Sequence, residues 1–192
     1  MHYQVGQIIY VVAFTFAGQS YSQTHPRIPH RAEGPEKMHF KKLTVTEHHR
    51  VPDYWLPLGE KTCDGYVLTD ENGKVFHNQY PMAVYGQVSD FADRRFTAHA
   101  ADREEAKRLI AADKDEPVAY ILVEDINDML SESFPGSRVA SPLLKNLVEI
   151  TERFHREFEA FAPGFKLERK PIWSEHPDIL ATQVVLKQEA PE

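Results

Sequence analysis

Residues 1–23 read MHYQVGQIIYVVAFTFAGQSYSQ, and the run from Ile8 to Ala17 inside them decides the fold. It is apolar apart from one threonine. The small residues Ala17, Gly18 and Ser20 follow it, as at the cleavage region of a secretory signal. Yet no Lys or Arg precedes the run, and its Val, Ile, Phe and Tyr prefer a pleated strand. The stretch therefore reads as a buried first strand, and the chain as a cytoplasmic protein. A single cysteine, Cys63, fits a reducing compartment and excludes both an internal disulfide framework and a zinc site of several thiolates. No apolar run approaches the roughly 18–20 residues of a membrane-spanning helix.

Outward from that strand, residues 18–37 carry three prolines and two glycines without apolar periodicity, which predicts a long loop. His39–His48 (HFKKLTVTEH) alternates imperfectly but favours strand. It is broken by RVPDYWLPLGEK with Pro52, Pro57 and Gly59. In GYVLTDENGKVFHNQYP, Tyr66–Leu68 and Val75-Phe76 flank Asp70-Glu71-Asn72-Gly73. Asn and Gly accept the positive φ of tight turns, so this is a β-hairpin. MAVYGQV (82–88) adds another strand. Several short strands with little helix suit a small antiparallel barrel-like body of SH3-like or OB-like size.

Character changes after residue 90. ADREEAKRLIAA (101–112) combines helix formers with early acids. VAYILV (118–123) is a continuous apolar run of strand length. Ser141-Pro142 opens the longest element, a helix over 141–161. Leu143, Leu147, Ile150, Phe154, Phe158 and Phe161 form one stripe on it, ended by Pro163-Gly164. Residues 165–169 and 179–186 read as strands. The expectation is an α+β protein: a β-rich barrel-like part over 1–95, then a helix-on-sheet part over 96–192, the two free to share one core.

The net charge of −7 is uneven. Residues 1–60 hold six Lys/Arg against five Asp/Glu and six of the ten histidines; the remainder is acidic. That balance repels phosphate and disfavours a dedicated DNA-binding domain. No P-loop, GxGxxG, GxSxG or HExxH pattern occurs. A metal site from His48 or His49 with His77 and Asp53 is conceivable, although adjacent strand histidines face opposite ways. Cys63 lies in KTCDGY, which carries no cysteine-protease signature. Asp125, Asp128 and Glu132 would share one helix face, as a cation site or, as expected here, a solvated one.

The preferred binding stretch is HHRVPDYW (48–55): His48, His49, Arg50, Asp53, Tyr54 and Trp55 on a proline-stiffened backbone. Aromatic and Arg anchors dominate recognition surfaces, though Tyr54 and Trp55 would equally serve as a plug for the barrel. Tyr80 and Tyr85 with Arg94 and Arg95 form a second candidate. The expected function is that of a non-catalytic binding protein, a bacterial or phage accessory factor that recognises a protein partner through this aromatic, cationic loop. It needs no metal, cofactor or membrane. The alternatives are a metal-dependent hydrolase using the amino-terminal His and Asp residues, and single-stranded nucleic-acid binding through the barrel.

Overall fold

A computed structural model describes residues 3–16, 19–20, 34–52, 62–80, 83–86, 117, 119–130 and 144–187. Its strands are β1 (Ile8–Phe16), β2 (Gln19–Ser20), β3 (Lys37–Pro52), β4 (Thr62–Thr69), β5 (Val75–Tyr80), β6 (Ala83–Gly86) and β7 (Ala119–Leu122). Helices α1 (Val123–Leu130) and α2 (Leu144–Phe161) follow, and then strands β8 (Phe165–Trp173) and β9 (His176–Leu186). The chain is α+β, dominated by antiparallel sheet. Among the described residues no helix is long and apolar enough to cross a membrane.

The large sheet runs β2-β1-β3-β4-β5-β6-β7, and β7 also pairs with β1 through Val11–Leu122 and Val12–Ile121. The sheet therefore curls until its ladder returns to the strand on which it began. The strand expected at 118–123 forms β7 and completes this sheet. Every pairing is antiparallel.

β1 is almost wholly apolar because its middle, residues 9–14, is buried on both faces. Ile9, Val11 and Ala13 point into the curl with Leu43, Val45, Tyr66, Leu68, Phe76, Val84, Tyr120 and Leu122. Tyr10, Val12 and Phe14 point outward, against Ile126 and Leu130 of α1 and Ile150, Phe154 and Phe158 of α2. Val11 and Val12 are both 0% exposed, a packing that a strand solvated on one face never shows. The imperfect alternation of β3 has the same cause: Leu43 and Val45 fill the inside, while Phe40 packs outside near Phe154 and Phe158 at 5.6 and 6.0 Å between ring centres.

The predicted hairpin is present. Leu68 pairs with Phe76 and Thr69 with Val75, and Gly73 takes φ +80°. The Asp70 carboxylate accepts the amides of Asn72 (2.8 Å) and Lys74 (2.9 Å). Near this end of the curl the ammonium of Lys41 lies over the Phe76 and Tyr120 rings and 3.8 Å from Asp70. An inward-pointing cation of this kind closes the end without exposing apolar surface. The helical stripe of α2 is borne out from Ile150 to Phe158, with Glu149, Glu152, Arg156 and Glu159 exposed opposite. Gly164, at φ +96°, turns the chain out of α2 into β8. Residues 101–112, predicted as helix, lie outside the described residues.

α1 holds the β8–β9 hairpin through an edge contact. The Val184 amide donates to Glu124 Oε1 at 2.8 Å, and the Thr182 amide donates to both Asp128 oxygens at 3.1 Å. Residues four apart on a helix are separated by about 6 Å along its axis, and alternate strand amides by about 6.8 Å. The two carboxylates thus match two successive outward amides and cap a strand edge. This corrects the expectation of a merely solvated acidic face for Asp128. Thr182 Oγ1 also bonds Asp128 and accepts from Asn127 Nδ2 at 3.1 Å, and Asn127 Oδ1 meets His155 Nε2 of α2. Burial holds the His155 imidazole below its ordinary pKa, so it is neutral here at pH 7. Asp128→Ala would leave buried donors on Thr182 unpaired, at a cost of about 2 kcal/mol. Urea unfolding should show this, with loss of hydrogen-exchange protection at Thr182 before the curled sheet opens.

Candidate functional site

A β-bulge builds the site. β3 pairs with β4 as Val45–Leu68 and then as Glu47–Val67, which leaves Thr46 extra. A bulge shifts the alternation by one residue. Inward positions are therefore odd up to Val45 and even beyond it, so His48 and Arg50 fall on the inner side, opposite Tyr66 and Asp64. They stand at one end of the curl, where β1, β4 and β6 begin and β3, β5 and β7 finish.

There one carboxylate gathers two side chains. Asp64 Oδ1 accepts from His48 Nε2 at 2.7 Å and from Arg50 Nη1 at 2.9 Å. The His48 ring also stacks flat on Tyr66, 4.9 Å between centres and 16° between planes. Tyr66 is buried, but the side chains of His48 and Arg50 are 38% and 56% exposed. The result is an aromatic floor under a polar, partly cationic rim.

The chain's start crosses the same end. Gly6, at φ +90°, shapes a turn over Gln4–Gln7. Beyond it the Tyr3 amide donates to the Tyr66 hydroxyl at 3.2 Å, and the two rings meet edge-on at 5.1 Å. Burial raises the Tyr3 phenol well above its ordinary pKa, assisted by the charges of Asp125 and Glu124 in the first turn of α1. Asp125 in turn is pushed up to about 7, by burial first and then by Glu124 and Asp128. Its Oδ2 is buried without a hydrogen-bond partner.

Of the residues singled out in the sequence, His48 and Arg50 are brought together. His49 faces the other way and bonds Glu47 at 2.8 Å, as adjacent strand residues must. His77 sits opposite Val67 on the outer side of the sheet, the side that His49 faces, so it does not converge with His48, while Asp53, the third member of the conceivable metal set, lies outside the described residues. Among the described residues no group of three or more His, Cys, Asp or Glu side chains is placed to hold a metal ion. Tyr80 and Tyr85 belong to β5 and β6, with Tyr85 in register with His77. Asp53, Tyr54, Trp55, Arg94 and Arg95 lie outside the described residues. Sequence reading missed Tyr3 and Asp64 as members of this end, and read Asp125 only as part of an acidic helix face. Asp64 alone had a signal, as a lone acid two residues before a predicted strand pair.

Curled sheet, covering helices and rimmed end define a β-rich α+β protein. Comparison with known proteins finds no matching family model, curated protein or solved structure.

Proposed function

We propose that this is a non-catalytic binding protein of the cytoplasm, on a barrel of SH3-like or OB-like size, whose rimmed end takes a protein partner. The observation that carries the reading is the pairing of half-exposed His48 and Arg50 on one carboxylate above the Tyr66 ring. An arginine and an imidazole held at a half-exposed rim over an aromatic ring are of the residue types enriched in recognition hot spots. The acidic balance of the chain speaks against nucleic acid as the partner.

Immobilised full-length protein, challenged with an extract of its source cells, tests this. The double substitution His48→Ala, Arg50→Ala should cut the amount of captured partner at least ten-fold. Its thermal midpoint should move little, because exposed substitutions change stability by about 0.5 kcal/mol. Equal capture by both proteins, or capture of nuclease-sensitive material alone, would overturn the proposal.

A further inference from the structure

We infer that Tyr3 is a built-in occupant of this end, standing where a partner's aromatic side chain docks, and that residues 3–7 form a strap that lifts to admit it. The inference rests on the reading of this end as the binding site and adds the kind of side chain it takes. Tyr3 is the one buried residue of the strap, at 8% exposure, whereas Gln4, Val5, Gly6 and Gln7 are exposed. Its base is fixed to β3, with Gly6 N–H donating to Val45 O at 2.8 Å and Val45 N–H to Gln7 O at 2.9 Å. At Tyr3 the backbone amide donates to Tyr66 Oη at 3.2 Å, the long end of the usual range, and the two rings meet edge-on. A Cβ on Gly6 would meet nothing within 4 Å, so glycine serves the left-handed backbone there and not close packing.

With the tip lifted, the contact of Tyr3 with the Tyr66 ring opens while His48 keeps its stacking on that ring. An incoming ring regains the edge-to-face contact. Tyrosine and tryptophan are thus favoured over leucine.

The probe is N-acetyl-tyrosinamide, titrated into the full chain and followed by NMR. It should shift the Tyr3 amide and the Tyr66 ring signals while the Val45 amide, at the base, stays in place. Tyr3→Ala should bind it at least ten-fold more tightly, and N-acetyl-leucinamide should shift neither signal. Equal affinity in wild type and variant would overturn the inference. If Tyr3→Ala does not fold, hydrogen exchange of the wild type decides. The Tyr3 amide should exchange at least a hundred-fold faster than that of Val11; exchange of both at one rate would overturn the strap. The strap is read here without a partner, so its failure is separable from a failure of capture by the His48 and Arg50 variants.

Discussion

Phe158→Ala is expected to destabilise the protein by about 3–5 kcal/mol, the range for emptying a fully buried phenylalanine site. Phe158 is 0% exposed and lies between α2 and the outside of the curl. It meets Tyr10 edge-on at 5.6 Å and Phe40 at 6.0 Å. Those rings come from β1 and β3, two strands that also line the inside with Ile9, Val11, Leu43 and Val45. A cavity at Phe158 therefore loosens the wall between the two clusters. Unfolding should remain a single cooperative transition, with a lower denaturant midpoint and an unchanged slope. Arg156→Ala, two positions away on the exposed face, is the control and should stay within about 0.5 kcal/mol. A loss below about 1 kcal/mol for Phe158→Ala would mean that α2 is not seated on β1.

That wall explains which parts of the fold were legible. A stretch buried on both faces must be apolar at every position, so residues 9–14 announced themselves. The stripe Ile150, Phe154, Phe158 and the Asp70–Gly73 turn were equally plain, because helical spacing and turn chemistry are local. The return of β7 to β1 was not legible, since nothing near residue 120 encodes a pairing with Val11 and Val12 more than a hundred positions earlier. The site was half legible. HHR was picked for its residue types, but one bulged residue, Thr46, decides that His48 and Arg50 share the inner side and His49 does not. No local pattern marks that bulge. Tyr3 reaches the site only through a turn at Gly6, and the match of Glu124 and Asp128 to the β9 edge depends on a hairpin some fifty residues away.

Asp125→Asn should stabilise the protein at pH 8, by roughly 2–4 kcal/mol, and scarcely at all near pH 3. The folded carboxyl is raised from an ordinary 3.8 to about 7, chiefly by burial and then by the like charges of Glu124 and Asp128. A raised acid binds its proton more tightly in the folded state than in the unfolded one. Its contribution is fully present below pH 3.8, is lost as the pH climbs towards 7, and is gone above that. Each pH unit of difference corresponds to about 1.4 kcal/mol, so a gap of about three units sets the upper end of the range. The amide keeps the shape and carries no charge to desolvate, so the variant escapes the loss. Other carboxylates titrate in the same window, but they do so in both proteins. The difference between the two denaturation curves therefore reports Asp125 together with its coupling to Glu124 and Asp128: it should open between pH 4 and pH 7 and stay constant above about pH 8. A difference that does not vary with pH would place the Asp125 carboxyl in water, away from Glu124 and Asp128.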